Sequence, residues 1–344
     1  MNSPLLGGLT AREFMRRYWQ KRPLFVRNAL PHLSGIVDQR RLMALAARDD
    51  VESRMVERRG RHRETTHGPF RRVALKAKST ILVNGVNHHV PAADELLQRF
   101  AFVPQARLDD VMVSYATPGG GVGPHLDRYD VFLLQGPGRR LWRVENKRYL
   151  ANPGDLLYLP PGVRHDGVAL DRCFTYSIGF RAPRGTELGA AFLDWLHERG
   201  LPEADYRDAG MEPAARPGQL PRQIISFADE LLARIRWSRS DVERFVGEYL
   251  SEPKAHVVFG PAHGRRTCAG STVRLDGKAR LLYRGRRFFI NGGSFELTGK
   301  RAAGLRELAD LRIAEGSRLA RAGLGSLISR WQRLGYVNLE KKRQ

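Results

Sequence analysis

The chain has 344 residues, of which 42% are apolar, and it carries 58 Lys and Arg against 36 Asp and Glu, a formal net charge of +22. This length and this apolar fraction are typical of a globular protein of two or three domains and exclude a disordered chain. No apolar run reaches the roughly 18 residues that a membrane helix needs, so we expect no membrane span.

The N-terminus and the cysteines favour a cytoplasmic protein. The first residues lack the charged segment and long apolar stretch of a signal peptide. Cys173 and Cys268 lie among apolar or small residues, so we expect two buried free thiols. Unpaired cysteines favour a reducing compartment, and we therefore predict a cytoplasmic location.

The positive charge is concentrated near the C-terminus. Residues 251–344 contain 20 Lys and Arg against 7 Asp and Glu, which is more than half of the net charge. A field of this sign attracts polyanions, and neutralisation of phosphates supplies most non-specific affinity for nucleic acids. Contact with RNA is one interpretation, and an arginine-rich solvated surface is the other.

The N-terminal part predicts helices and strands in alternation. Thr10 and Glu13 form a predicted capping box for a helix through Phe14 and Tyr18, which ends before Pro23. The further predicted elements are strands at 24–26, 51–57, 73–75 and 80–86 and helices at 40–47 and 92–100. His88 and His89 lack a third partner at ligand spacing, so we predict a structural role for both.

A metal-binding pattern follows a predicted strand at residues 111–115. A strand places side chains i and i+2 on one face, so we expect His125 and Asp127 to point into a barrel from one strand. His165 follows the short apolar strand 156–159, which the Pro-Pro-Gly turn 160–162 ends. Two imidazoles and one carboxylate form the facial triad that holds Fe(II) and leaves positions open.

The surrounding glycines and prolines decide between a metal site and the simpler alternative. An isolated His-x-Asp is more often a hydrogen-bonded surface pair. Here, however, Gly154-x5-Pro160-x-Gly162-x2-His165 looks like the second cupin motif, and Gly119-x5-His125-x-Asp127 resembles the first, with Asp in place of a His. The combination favours the metal site.

A basic residue is predicted inside the same barrel. Strands are predicted at 129–135 and 139–144, and the alternation in the second places Arg140 and Trp142 on its inner face. A buried cation is costly unless it has an anion. Because a guanidinium binds a carboxylate in a bidentate manner, Arg140 is a candidate clamp for a dicarboxylate; the alternative is a pair with a protein carboxylate. Strand 174–180 then closes the barrel, with Thr175, Ser177 and Gly179 on one face.

The rest of the chain predicts two further regions. Residues 185–250 show helical periodicity, with helices at 188–196, 224–235 and 241–250 whose apolar stripes form either a dimer interface or an internal core. Beyond them the predicted elements are strands at 271–275, 279–283 and 286–290, a turn at 291–293, helices at 302–311 and 324–334, and a strand at 335–339. This last unit resembles a winged helix, and its basic tail 341–343 is expected to be frayed.

These motifs together resemble a known family, the bacterial ribosomal oxygenases. The resemblance is carried by GPHLDRYDVFLLQGPGRRLWRV, PGDLLYLPPGVRHDG and YSIGFRAP, and in the N-terminal part by RYWQKRPLFVR, THGPF and VNHHVP. It is specific over residues 118–183 and loose after about residue 184. Members are JmjC-type, cupin-fold dioxygenases that use Fe(II) and 2-oxoglutarate.

The resemblance implies a fold and an activity. The expected α+β architecture is a double-stranded β-helix, or cupin/JmjC jelly roll, at residues 1–183, a helical region at 184–255 that forms a homodimer, and a basic winged-helix-like domain at 256–344. The implied activity is O₂-dependent hydroxylation of a side chain, arginine C3, in a large-subunit ribosomal protein. The implied partners are that protein and, through the basic surface, ribosomal RNA.

The resemblance also implies roles for individual residues. His125, Asp127 and His165 match the iron ligands, Arg140 matches the residue that holds the distal carboxylate of 2-oxoglutarate, and Ser177 matches an inward residue of the closing strand. The family has a hydroxyl residue at the position of Ala116, for which Ser114 is the expected substitute. Asp130 is a candidate partner for the substrate guanidinium.

One departure from the family pattern keeps other functions open. The connection at 145–152 is about twenty residues shorter than usual in the family, which alters one wall of the pocket. The alternatives are therefore the same chemistry on another protein residue or a small molecule, or a degenerate barrel that binds RNA or DNA. The intact triad and Arg140 argue against the degenerate barrel.

Overall fold

The computed structural model describes residues 4–31, 35–60, 62–72, 74–261 and 268–341. The expected α+β fold is confirmed: two facing β-sheets are followed by helices and by a second, smaller α/β unit. None of the helices in these ranges combines the length and apolar character needed to cross a bilayer.

The N-terminal part largely follows the prediction. Its elements are α1 (Ala11–Arg17), β1 (Leu24–Val26), α2 (Gln39–Ala46), β2 (Ser53–Arg59), β3 (His62–His67), β4 (Ser79–Val83) and α3 (Pro91–Gln98). The capping box is confirmed, because the Glu13 N–H donates to Thr10 Oγ1 at 3.2 Å and the Thr10 N–H donates to Glu13 Oε2 at 2.8 Å.

The predicted strand at 73–75 is wrong over its described residues. Residue 73 lies outside the described residues, and residues 74 and 75 belong to no strand. The hairpin partner of β2 is instead β3, which pairs Arg59 with His62 and Arg54 with His67. All six β3 side chains are exposed, so β3 has no apolar alternation that would reveal it.

Two sheets enclose the central cavity. Their remaining strands are β5 (Leu108–Ala116), β6 (Val131–Gln135), β7 (Arg140–Val144), β8 (Lys147–Ala151), β9 (Leu156–Leu159), β10 (His165–Ala169) and β11 (Cys173–Phe180). The large sheet has the order β1-β9-β6-β11-β5-β4-β2-β3, and the small one has the order β10-β7-β8. The predicted short connection is confirmed as the β7–β8 hairpin, which pairs Val144 with Lys147.

Strand periodicity divides the large sheet into a core face and a cavity face. Ile81 and Val83 of β4 pack into the main apolar core, whereas Thr80 and Leu82 line the cavity. The same alternation holds along β5, β6 and β11. The core face packs against the N-terminal helices, with the Phe14 ring of α1 4.9 Å from the Tyr158 ring between centroids. The sheet is thereby held rigidly behind the cavity.

Three helices follow the sheets: α4 (Gly185–Glu198), α5 (Arg222–Leu232) and α6 (Arg239–Ser251). Only α6 has buried residues, among them Phe245. Helices α4 and α5 instead expose apolar side chains, including Leu193 (65%), Ile225 (55%) and Leu232 (63%). Exposed apolar side chains on neighbouring helices often mark a surface that another protein surface covers.

The C-terminal unit has its own apolar core. Its elements are β12 (Ser271–Leu275), β13 (Leu281–Arg284), β14 (Arg287–Ile290), β15 (Gly293–Glu296), α7 (Gly299–Leu311), β16 (Ile313–Glu315), α8 (Gly316–Arg321), α9 (Gly325–Arg333) and β17 (Val337–Lys341). Leu305, Ile328 and Trp331 are central to that core. The short elements β15, β16 and α8 were not predicted. Residue 341 ends β17, and 342–343 lie outside the described residues.

Candidate metal centre and its cavity

His125, Asp127 and His165 converge at one edge of the cavity. One donor atom from each lies within 4.8 Å of the others, and His165 Nε2 is 3.7 Å from Asp127 Oδ2. Among the described residues this is the one group of three or more His, Cys, Asp or Glu side chains close enough to share an ion. The three residues that the sequence singles out are therefore brought together.

The backbone arrangement differs from the prediction of one continuous strand. His125 lies in a loop and forms an isolated bridge with the first residue of β10: its N–H donates to the His165 carbonyl at 3.0 Å, and the reverse bond is 2.9 Å. Asp127 is tied to the Pro-Pro-Gly turn, because the Gly162 N–H donates to the Asp127 carbonyl at 2.7 Å. The prediction of a strand over 125–127 is thus wrong, although both side chains reach the site.

Hydrogen bonds orient both imidazoles for metal binding. His125 Nδ1 lies 2.8 Å from the Gly123 carbonyl, and His165 Nδ1 lies 3.0 Å from the Val163 carbonyl. A carbonyl oxygen only accepts, so each Nδ1 carries a proton, and in the neutral ring the lone pair is then on Nε2. Burial lowers the pKa of His165, which further favours the neutral ring. This arrangement is typical of metal-binding histidines.

Glycines allow the loop and the strands to approach closely. A Cβ on Gly121 would collide with the carbonyl of Gly167, and a Cβ on Gly167 would lie 2.5 Å from the Trp142 ring. Trp142 in turn lies 6.0 Å from the His165 ring, measured between centroids. The glycine-rich loop therefore packs backbone against backbone and leaves space for the aromatic wall beside the metal ligands.

The ligands open onto a cavity of about 480 Å³, a volume that suits a small co-substrate together with a protein side chain. The strand register divides its large-sheet wall into rows. Thr80, Ala116 and Cys173 pair laterally at the deep end, and Leu82, Ser114 and Thr175 pair one step nearer the mouth. Ser177 and Met112 form the next pair, and Asp110 lies beyond them beside Gly179.

Arg140 lies at the deep end from the opposite sheet. Its side chain is only 4% exposed, and its Nε has no hydrogen-bond partner. The one described side-chain hydrogen bond of its guanidinium is to Cys173 Sγ at 3.7 Å, and the guanidinium carbon is 5.6 Å from the Trp142 centroid. No described carboxylate pairs with it, so the alternative of an internal ion pair has no support in these residues. A buried guanidinium without a carboxylate partner is a candidate binding site for an anion.

Ser114 and Ser177, both predicted for co-substrate binding, lie on this cavity wall. Sequence reasoning missed Thr80, Tyr129 and Arg54 as lining residues. Thr80 was missed because the strand pairing that brings it next to Ala116 cannot be read from the sequence. Arg54 was missed because β2 was assigned the wrong hairpin partner.

Two carboxylates line the mouth of the cavity. Asp109 binds Lys254 at 3.0 Å and also approaches Arg280 and Arg181, whereas Asp110 Oδ2 accepts from the Gly85 N–H at 3.0 Å and lies 3.5 Å from Lys254. Burial alone would raise the pKa of Asp109, but the three cations lower it by more. Burial raises the pKa of Asp110, while Lys254 opposes that shift and Asp109 adds to it.

Asp130 is not available as a substrate partner. It is fully buried and accepts hydrogen bonds from the Tyr158 hydroxyl at 2.7 Å and from Gln20 Nε2 at 3.1 Å, on the core side of the large sheet. The prediction that Asp130 pairs with the substrate is therefore wrong, whereas the side chains of Asp109 and Asp110 do line the cavity. His88 and His89 lie away from the metal ligands, and burial lowers their pKa values to about 3 and about 4. Both remain neutral, in keeping with a structural role.

Comparison with known proteins gives two family matches. The family model of the JmjC domain matches residues 95–152 and 147–188. The two segments overlap within the β7–β8 hairpin region, where the connection is short. The family model of the ROXA-like winged helix matches residues 234–324.

Curated relatives and solved structures extend the similarity over most of the chain. The ribosomal protein uL16 3-hydroxylase of Escherichia coli is 34% identical over 274 residues, covering 72% of this chain and 73% of the relative. A probable ribosomal oxygenase of Haemophilus influenzae is 36% identical over 258 residues, covering 65% of this chain and 63% of the relative. The structure of YcfD, a ribosomal oxygenase from Escherichia coli, in complex with cobalt and 2-oxoglutarate has a TM-score of 0.81 at 30% identity, covering 96% of this chain and 98% of that one.

Proposed function

The chain belongs to the ribosomal-oxygenase family of JmjC-domain proteins, and we propose that it is the Fe(II)- and 2-oxoglutarate-dependent dioxygenase that hydroxylates C3 of an arginine in the large-subunit ribosomal protein uL16. One observation carries the proposal above the others. A cavity of about 480 Å³ holds three convergent metal-ligand side chains at one edge and an unpaired, buried Arg140 at its deep end.

The donor set fits Fe(II). His125 and His165 present their Nε2 atoms and Asp127 presents a carboxylate, which is the ligand combination of non-haem oxygenases. Fe(II) and 2-oxoglutarate, when bound, supply the oxidation, in which O₂ converts 2-oxoglutarate to succinate and CO₂ and one oxygen atom enters a C–H bond of the substrate.

The residues of the chain supply binding and orientation. Arg140 donates to the distal carboxylate of 2-oxoglutarate, which compensates its buried charge. Ser114 and Ser177 offer hydroxyls along the path from Arg140 towards the metal ligands. Trp142 and the apolar residues Leu82, Val131 and Leu133 line the cavity and reduce the contact of a bound co-substrate with water.

The mouth of the cavity suits a cationic side chain. Asp109 is already paired with Lys254, Arg181 and Arg280, whereas the one described ion pair of Asp110 is with Lys254 at 3.5 Å. A guanidinium placed against Asp110 would give this buried carboxylate a bidentate partner. The reaction therefore takes place between an anion clamp at the deep end and a cation clamp at the mouth, with the metal ligands on the wall between them.

We further propose that the protein works as a homodimer built from three regions, namely the JmjC/cupin catalytic domain (1–183), the helical region (184–255) and the basic winged-helix-like domain (256–344). The exposed apolar stripes of α4 and α5 support dimerisation through the helical region. The positive charge of residues 251–344 supports a contact with ribosomal RNA during substrate docking. A ribosomal substrate implies a cytoplasmic location.

The direct test is turnover of 2-oxoglutarate to succinate with Fe(II) and a peptide centred on the arginine, comparing wild type with Asp127→Ala. Turnover that increases with the peptide and is lost in Asp127→Ala is expected. Turnover indifferent to the peptide would retain the oxygenase and reject the substrate. Absence of turnover in a folded, iron-loaded protein would reject the enzyme and favour a nucleic-acid-binding role.

A further inference from the structure

At the deep end of the cavity, the row of paired residues Thr80, Ala116 and Cys173 carries small side chains and leaves a gap. Ala116 of β5 lies between Thr80 of β4 and Cys173 of β11 in the register of the large sheet. Ala116 is fully buried and offers no polar side-chain atom. Arg140 reaches this row from the other sheet, with its terminal nitrogen 3.7 Å from Cys173 Sγ. Polar recognition at this end must therefore come from a neighbour of Ala116.

Thr80 is the neighbour with a free hydroxyl. Its side chain lines the cavity, whereas those of Ile81 and Val83 pack into the core behind the sheet. Thr80 is fully buried, and its Oγ1 has no hydrogen-bond partner. A buried hydroxyl left without a partner costs on the order of 1–3 kcal/mol, so such a group is rarely retained unless a ligand or a water satisfies it.

The unpaired polar atoms of Thr80 and Arg140 suit a single carboxylate group of a ligand. Arg140 Nε and Thr80 Oγ1 are both buried polar atoms without partners, and both residues line the same cavity. Arg140 approaches the row at Cys173, one strand beyond Ala116, and Thr80 lies one strand to the other side. Adjacent strands are about 4.8 Å apart, so a carboxylate over Ala116 has a donor on each side.

We propose that Thr80 is a binding residue for 2-oxoglutarate, whose hydroxyl donates a hydrogen bond to the distal carboxylate that Arg140 holds. This assignment rests on the proposed function and goes beyond it, because it gives the hydroxyl role to Thr80 instead of Ser114. Ser114 lies in the next row, opposite Leu82 and Thr175, and is therefore one step nearer the mouth than Arg140. Thr80 closes the deep end and Ser114 lines the path towards the metal ligands.

The test compares two ligands that differ only at the distal end. Full-length protein is loaded with Fe(II) under anaerobic conditions, where no turnover occurs, and is titrated calorimetrically with 2-oxoglutarate and with 2-oxobutanoate. The second ligand keeps the 2-oxo acid end and lacks the distal carboxylate. Thr80→Val removes the hydroxyl at nearly constant shape, and Thr80→Ser retains the hydroxyl. Ser114→Ala is the matched control.

Thr80→Val should weaken 2-oxoglutarate binding by about tenfold, as expected for one hydrogen bond to a charged group. It should leave 2-oxobutanoate binding within about twofold of wild type. Thr80→Ser should bind 2-oxoglutarate about as tightly as wild type. Ser114→Ala should not weaken 2-oxoglutarate binding selectively over 2-oxobutanoate binding. The ligand-free melting temperature of Thr80→Val should not fall, because an unsatisfied hydroxyl is replaced by a methyl group.

Three results would overturn the inference. Unchanged 2-oxoglutarate affinity in Thr80→Val would show that the Thr80 hydroxyl makes no hydrogen bond to the ligand. An equal loss for both ligands would reduce Thr80 to a packing residue. Failure of the iron-loaded wild type to bind 2-oxoglutarate would reject the inference together with the proposed function, whereas the first two results would leave that function standing.

Discussion

Replacing Arg140 by Met should stabilise the ligand-free protein and remove its response to 2-oxoglutarate. The guanidinium belongs to a residue that is 4% exposed, and no described carboxylate neutralises it. Met has a similar length and carries no charge, so the change removes the cost of burying an unpaired cation. Replacement of buried charges by apolar residues of similar volume typically stabilises by about 1–4 kcal/mol.

The contact with Trp142 opposes this gain. The guanidinium carbon lies 5.6 Å from the indole centroid, and a cation–π contact in a desolvated site is worth about 1–2 kcal/mol. The net expected change in the free energy of unfolding is therefore small and stabilising, about 1 kcal/mol. Most other substitutions of a fully buried residue on a central strand destabilise.

The ligand response should change far more. Loss of a buried, bidentate, charge-assisted contact worth about 3 kcal/mol weakens 2-oxoglutarate binding by roughly a hundredfold. At a ligand concentration of about 100 times the wild-type Kd, wild type gains about 2.7 kcal/mol of stability. In Arg140→Met the same concentration then equals the Kd, and the gain falls to about 0.4 kcal/mol.

Denaturant unfolding of the iron-loaded protein without O₂, with and without 2-oxoglutarate, measures both effects. Arg140→Lys serves as the control that retains the charge but not the fork-shaped donor. A loss of more than about 2 kcal/mol in Arg140→Met without ligand would contradict this prediction, because it would mean that the guanidinium is stabilised internally. A wild-type ligand response in the variant would contradict the role of Arg140 in binding 2-oxoglutarate.

Three further changes test other parts of the account. Asp110→Asn should raise the KM for an arginine peptide about tenfold and leave the KM for the co-substrate unchanged, because it weakens only the cation clamp at the mouth; a citrulline peptide should be indifferent to the change. The pKa of Asp109 is lower in the folded protein than in the unfolded chain, where it is about 3.9. The ion pairs of Asp109 therefore stabilise the folded protein fully above about pH 4, and this stabilisation is lost as the pH falls through the folded pKa. Asp109→Asn should therefore cost about 2 kcal/mol at pH 7, with a difference from wild type that shrinks below about pH 4 in urea unfolding; a pH-independent difference would contradict this. If the proposed homodimer forms through α5, Ile225→Glu, at a side chain that is 55% exposed, should give a monomer in light scattering, whereas Ser226→Glu on the same helix should leave the dimer intact.

Local signals in the sequence predicted much of the fold. The capping box of α1, the strand β1 and the Pro-Pro-Gly turn depend on residues close in sequence, and all three occur as predicted. Strand β3 was missed because a wholly exposed strand has no apolar alternation to detect. Short elements of the C-terminal unit, such as α8, are fixed by tertiary packing more than by their own sequence.

The candidate site was predictable in its motif residues and in Arg140, which strand alternation placed inside the barrel. His125, Asp127 and His165 were found from their spacing, although the first two lie on a loop and not on the expected strand. Asp130 was misassigned because sequence position does not show which face of the sheet it occupies; it lies fully buried on the core side. Thr80 was missed because its position beside Ala116 depends on strand pairing between distant segments.

Hydroxylation is measured most directly by treating the uL16-derived arginine peptide with the purified protein, Fe(II), 2-oxoglutarate and O₂ and mapping the product by tandem mass spectrometry. We predict the gain of one oxygen atom at C3 of the arginine, with one succinate formed per hydroxylation and no product from Asp127→Ala. Succinate formed without oxygen on the peptide, or oxygen at another residue, would contradict the proposed substrate. A folded, iron-loaded wild type that forms neither product would contradict the oxygenase itself.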